Sequence, residues 1–97
     1  MSFEWDHDKD LSNRQKHGIS FDEAKHIFDG PVLTKIDDRD DYGEVREISI
    51  GTLSLTGVIT VVHTQRGDNI RLISARKADR RERKIYYDYL QKTLERD

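Results

Sequence analysis

Between Leu53 and Ile73 the chain gathers isoleucine, valine and leucine around one turn, Arg66-Gly67-Asp68-Asn69. Glycine there supplies the positive φ of a two-residue hairpin turn, and Asp and Asn also favour such turns. Val58–Thr64 is apolar on both faces, as a central strand is, and the chain returns as Ile70–Arg76. Charged residues make up 37% of the 97, and the mean hydropathy is −0.87. Scattered apolar residues in such a chain would leave it disordered. Concentrated as they are, they dictate a packed sheet. The length supports a single domain over residues 1–97, with a core sufficient to fold alone but without much margin.

The remaining elements follow from caps and periodicity. Ser2–Trp5 reads as a short strand. Asp6 caps a helix over His7–His17, and Gly18 supplies its left-handed stop. Leu11 is almost the only apolar residue of that helix, whereas Lys9, Asn13, Lys16 and His17 share a face. Ser20 and Glu23 form a capping box for a second helix with Phe21, Ala24, Ile27 and Phe28 as its buried stripe, ended by Asp29-Gly30-Pro31. Strands are predicted at Val32–Ile36 and Val45–Ile50, joined by an acidic, solvated turn over Asp37–Gly43. Gly51–Gly57 reads as a looser connection. A last helix spans Asp79 to about Glu95. The order βααββββα predicts an α+β domain, an antiparallel sheet with two N-terminal helices and one C-terminal helix.

Charge is distributed unevenly along this framework. Arg66–Lys84 holds eight bases against three acids, for +5, inside a chain whose net charge is −2. Such a block is a local field that selects a polyanionic partner. On the strand after the hairpin, strict alternation sets Ile70, Leu72, Ser74 and Arg76 on one face and Arg71, Ile73, Ala75 and Lys77 on the other. Arg80, Arg81 and Arg83 then occupy a helix N-terminus, already the positive end of the macrodipole. A phosphate there would turn every unfavourable contact favourable, since free N–H groups and guanidinium forks both seek anionic oxygen. Glu82 suits the capping box of that helix and also borders its packed face.

Other chemistries lack their residues. Without cysteine there is no disulfide framework, thiolate metal site or thiol nucleophile. His7, His17, His26 and His63 show no metal-ligand spacing, and no phosphate-loop, dinucleotide or nucleophile-elbow pattern occurs. Neither a metal nor a cofactor is expected. No apolar run approaches a membrane span and no signal peptide is evident, so the expectation is a soluble cytoplasmic protein without membrane contact.

In Trp5-Asp6, Lys9, Asn13, Lys16-His17-Gly18-Ile19, Phe21, Glu23-Ala24 and Phe28 the chain resembles the BrnT family of bacterial toxins. The second half adds His63-Thr64-Gln65-Arg66, Arg71-Leu72-Ile73-Ser74-Ala75-Arg76-Lys77-Ala78, and Glu82, Arg83 and Tyr86. The resemblance implies a RelE-like ribonuclease fold and a toxin that stops translation by cutting RNA. It also implies a BrnA-like antitoxin, through which alone the pair would touch operator DNA.

Metal-independent cleavage by a ribose 2′-OH needs a base, cations for the phosphorane and an acid for the leaving oxygen. Arg76 is the expected phosphorane cation, assisted by Arg66. Glu82 or His17 stands as base, and Lys16 or His17 as acid. Arg71, Lys77, Arg80 and Arg83 would hold the RNA backbone. The same basic surface would also serve a non-catalytic nucleic-acid-binding module or a protein-interaction domain.

Overall fold

In the computed structural model, which describes residues 2–95, the chain runs β1 (Ser2–Trp5), α1 (His7–His17), α2 (Phe21–Ala24), a 3-10 segment (Lys25–Asp29), β2 (Leu33–Asp37), β3 (Arg46–Leu53), β4 (Gly57–Arg66), β5 (Asn69–Lys77) and α3 (Arg80–Leu94). The caps form as their residue types dictate. Asp6 Oδ1 accepts from the N–H groups of Asp8 and Lys9, and Gly18 closes α1 at φ 70°. Ser20 Oγ accepts from Glu23 N–H, but the Glu23 carboxylate is engaged elsewhere, accepting from Thr56. Only half of that predicted box closes, and α2 is a single turn continued as 3-10 helix.

The five strands form one sheet in the order β1-β5-β4-β3-β2. β2 to β5 are an antiparallel meander, whereas β1 pairs with β5 in parallel, Ser2 opposite Asn69 through Trp5 opposite Leu72. The sheet is therefore mixed, not antiparallel throughout. Nothing in a four-residue strand specifies its pairing direction; the route of the chain through α1 and α2 does.

Two further expectations are corrected. Gly51 is not part of a loose connection but lies within β3, which runs on to Leu53. A Cβ at Gly51 would stand 2.7 Å from Ile27 Cβ, so glycine is what lets the 3-10 segment approach the strand. On β5 strict alternation fails, because Val62 pairs with Ser74 while His63 pairs with Leu72. Ile73 is the extra residue of a β-bulge. Leu72 and Ala75 consequently lie in the same core, and Ser74 and Arg76 share the opposite face with Val62 and Thr60.

The helices lie on opposite faces of the sheet. Ile19, Phe21, Ala24 and Ile27 pack with Leu53, Ile59, Val61, Leu72 and Ala75 on one face. Tyr86, Tyr89 and Leu90 of α3 pack with Ile50, Val58 and Ala78 on the other.

The scarcity of apolar residues in α1 is answered by polar docking. Asn13 Nδ2–H₂ donates to Ile19 O (2.9 Å) and Ala75 O (2.8 Å), while Oδ1 accepts from Ala75 N–H (3.1 Å). One turn earlier, Asp10 Oδ1 accepts from Phe21 N–H at 2.8 Å. Both side chains are buried, whereas Leu11 is 44% exposed. Beyond Trp5, where β1 stops, the Asn13 amide thus takes the place of a peptide group against β5.

Asn13→Ala orphans a buried N–H and two carbonyls and is expected to cost about 2–4 kcal/mol of unfolding free energy. Asn13→Asp, unable to donate to either carbonyl, is expected to be strongly destabilising too. Ser12→Ala, exposed on the same helix, should change stability by less than ~0.5 kcal/mol. Urea denaturation of the three variants measures each.

Candidate nucleic-acid interface

Cross-strand pairing lays out the α3 face of the sheet in three rows. Leu33, Ile50, Thr60 and Arg76 pair successively across β2, β3, β4 and β5. Lys35, Ile48, Val62 and Ser74 form the next row. The third holds Asp37 opposite Arg46, and Thr64 opposite Arg71, which itself pairs with Glu4. Thr64 Oγ–H ties this row to the Val45 carbonyl. Helix α3 covers the first row and borders the β2–β3 end of the middle one. Tyr86 is buried there, its hydroxyl donating to Pro31 O at 2.7 Å, and Ile85 and Glu82 enclose a cavity of about 240 Å³ with Leu33, Ile48 and Ile50. The middle row becomes the floor of a trough between two charged walls. Like-facing residues lie ~7 Å apart along a strand, so the outer rows are separated by ~14 Å.

Arg76 and Glu82 stand on the α3 wall as a bidentate pair, Nη1–H to Oε1 at 2.7 Å and Nη2–H to Oε2 at 2.9 Å. The predicted capping box also forms, Glu82 Oε1 accepting from Asp79 N–H and Asp79 Oδ1 from Glu82 N–H. Burial pushes the Glu82 carboxyl up, but the hydrogen bonds from Arg76 and Asp79 outweigh it and hold the group below the usual range. The same bonds raise the Arg76 guanidinium. Thr60 Oγ, buried beside the Glu82 carboxylate, lies outside hydrogen-bonding geometry with any described residue. Glu82 thus accepts three hydrogen bonds and is a weaker base than an ordinary carboxylate.

The other predicted site residues are placed variously. Lys16 and His17 are exposed and line a shallow depression with Lys9, Ser12, Asn13, Ile73 and Ser74. Ser74 belongs to both this depression and the trough floor; Arg66, Arg76 and Glu82 are not among the depression's lining. Arg71 lies on the far wall, bonded to Glu4 at 2.7 Å. Arg66, at the hairpin, reaches Glu44 at 3.6 Å. Lys77 pairs with Ile59 and so faces away from the trough. Arg80 is exposed on the first turn of α3, and Arg83 donates back to Ala78 O at 2.8 Å.

The sequence reading missed the far wall's main content. The acidic turn Asp37–Gly43 is solvated except at Asp37 and Tyr42, and it sets Arg39 and Tyr42, with Glu44 just beyond, around the buried Asp37. Asp37 Oδ1 and Oδ2 accept from Arg39 Nε–H (2.7 Å) and Nη2–H (2.9 Å). Arg46 stacks over the Tyr42 ring at 4.1 Å and donates to Glu44 at 3.2 Å. Its signal was phase: Leu33, Lys35 and Asp37 alternate onto one face. His63, by contrast, is buried against Ser49 Oγ (2.7 Å) and the Phe28 ring, which meets it edge-to-face. Burial pushes its imidazole down, against the opposing pull of Glu47. Among the described residues no group of three His, Asp or Glu side chains converges to hold a metal ion, and no helix is long and apolar enough to cross a membrane.

A family model described as "Ribonuclease toxin, BrnT, of type II toxin-antitoxin system" matches residues 5–82. The chain belongs to this family. The crystal structure of the Brucella abortus ribonuclease toxin BrnT shares the fold, with a TM-score of 0.61 and 24% identity over 82% of this chain and 99% of that one. Curated proteins provide no match. Membership confirms the resemblance read from the sequence, and implies an RNA target and an antitoxin partner. The matched segment of this BrnT-family chain runs from Trp5, the last residue of β1, to Glu82, so it spans β2 to β5 and the Arg76–Glu82 pair.

Arg39 holds the Asp37 carboxyl at about 2, against an ordinary 3.8. Because folding favours the ionised form, this contribution is full above roughly pH 4 and is lost as pH falls through about 2. Thermal unfolding followed from about pH 5 to 2 should show that loss. Asp37→Asn is expected to unfold at lower temperature at neutral pH and to show a shallower acid limb.

Proposed function

We propose that this BrnT-family toxin is a cytoplasmic, metal-independent endoribonuclease of RelE-like type that inhibits translation and binds its RNA along the trough. A BrnA-like antitoxin neutralises it, and the complex reaches operator DNA only through that antitoxin. The observation that carries the reading is Arg76, fixed by Glu82 at the trough wall. The carboxylate and a long contact to Lys77 O engage three of its donors, leaving Nε–H and one Nη2–H for another anion.

The reaction begins as a ribose 2′-oxygen attacks the adjacent phosphorus. His17 takes the hydroxyl proton, the 5′-oxygen leaves with a proton from Lys16, and the products are a 2′,3′-cyclic phosphate and a 5′-hydroxyl. Arg76 meets the charge that develops on the phosphorane oxygens, where a preorganised donor is most effective. Glu82 acts by positioning Arg76, since its own basicity is suppressed. Arg71 holds the RNA backbone on the far wall, and Arg66, Arg80 and Arg83 extend the field to either end.

Labelled single-stranded RNA in EDTA should be cut to 2′,3′-cyclic phosphate ends, while DNA of the same sequence is bound and left intact. Arg76→Ala is expected to reduce the cleavage rate by about 10²–10³-fold. Glu82→Gln should lose less and keep the wild-type pH–rate shape; disappearance of the acidic limb in that variant, where the rate rises as the base loses its proton, would make Glu82 the base. Cleavage that EDTA abolishes, or RNA shifted but never cut, overturns the mechanism.

A further inference from the structure

The loop of residues 38–45, between β2 and β3, is exposed except at the half-buried Tyr42, yet its own hydrogen bonds and ion pairs order it as a wall. Its ends are pinned by the Asp37–Arg46 pair. Within it, Asp41 N–H donates to Asp40 Oδ1 and Gly43 N–H to Asp41 Oδ1, and Gly43 turns the chain at φ 70°. Glu44 accepts from Arg46 and reaches Arg66, which fastens the loop to the end of β4.

Three features give this wall a purpose. The Asp37 side chain is 1% exposed, yet the Arg39 it holds is 62% exposed. The carboxylate engages Nε–H and one Nη2–H, so three of the five guanidinium donors stay uncommitted on a group whose orientation is fixed. The half-buried Tyr42 ring is stacked under Arg46, and its hydroxyl faces Asp37. A ring locked in this way loses little freedom when a flat ligand stacks on it, and bases stack on aromatic and guanidinium planes alike. Finally, Arg39 and Arg76 repel each other across the trough, Arg39 opposing the rise of the Arg76 guanidinium. A polyanion lying between them relieves that repulsion.

We propose that Tyr42, backed by Arg46, is a stacking platform for a nucleobase of the bound RNA and that Arg39 clamps a neighbouring phosphate, so that this loop governs where the strand is cut. The inference rests on the reading of the trough as an RNA site. It adds an aromatic group that the strand faces themselves lack.

Binding is measured by fluorescence anisotropy with full-length protein and 2′-O-methyl RNA, which the 2′-OH attack cannot cut. The platform is thereby read whether or not the cleavage mechanism holds. Tyr42→Ala is expected to weaken binding on the order of 10-fold. Tyr42→Phe, which keeps the ring, should bind like the wild type. Tyr42→Leu keeps bulk without a π-face and should match Tyr42→Ala, which guards against a folding defect in the smaller variant; thermal unfolding of each is recorded alongside. Arg39→Gln should lower the slope of log affinity against log salt by roughly one. On cleavable RNA, Tyr42→Ala should also redistribute the cut positions. Equal losses in Tyr42→Phe and Tyr42→Ala would assign the effect to the hydroxyl and overturn the platform. So would wild-type affinity and an unchanged cut pattern in both Tyr42→Ala and Tyr42→Leu.

Discussion

The amide of Asn13 sets the geometry of one side of the molecule. β1 pairs with β5 only as far as Leu72, and from there the backbone of β5 would present Ala75 N–H and C=O to a helix instead of a strand. Asn13 answers both groups and also ties down Ile19, where the chain turns from α1 toward α2. Each bond is worth about 1 kcal/mol net, but a buried group left unpaired costs about 1–3 kcal/mol, so the arrangement resists partial substitution. Its consequence reaches the site. Fixing Asn13 places Lys16 and His17, one turn further along α1, beside Ser74. The bulge at Ile73 meanwhile turns Ser74 and Arg76 onto the α3 face. Docking and register together bring the α1 depression up to the trough.

The charges are arranged by a second rule: five arginines along the trough are paired with four carboxylates. Arg71 has Glu4, Arg39 has Asp37, Arg46 and Arg66 share Glu44, and Arg76 has Glu82. Three of these acids come from residues 1–65, the part of the sequence with an acidic excess. Of the basic run, Arg66, Arg71 and Arg76 are therefore no free field. They are oriented forks whose remaining donors project from pairs, and such pairs hold guanidinium planes in place more than they stabilise the fold. A phosphate then meets donors already aligned, at the cost of competing with carboxylates for part of the charge.

What could be read in the sequence was local. The Asp6 cap, the Gly18 stop, the Gly67-Asp68 turn and the Asp79–Glu82 box each need only their own few residues, and each appears where its chemistry places it. The family, too, was legible, since its motifs are short and contiguous. What could not be read was long-range: the parallel partner of Ser2–Trp5, the extra residue Ile73, and the 62-residue reach from Asn13 to Ala75. Arg39 and Tyr42 were hidden for a related reason. The turn is solvated as its composition implies, but strand phase points Asp37 into the structure, and Asp37 is what fixes Arg39.

Glu82 shows how far stability and the proposed activity are joined in this toxin. Its Oε1 accepts from Asp79 N–H at the start of α3 and from Arg76 at the trough wall, so one atom begins the helix and aims the cation. The helix it starts is held in turn by Tyr86 on Pro31, which secures the wall on which Arg76 stands. Loss of the Glu82 carboxylate would loosen the first turn of α3 and free Arg76 together. A fall in activity at this position therefore carries no information about proton transfer unless the pH profile changes as well. The same reasoning explains why a capping residue can lie within a candidate site: a helix start is one of the few places where a backbone N–H can help orient a carboxylate.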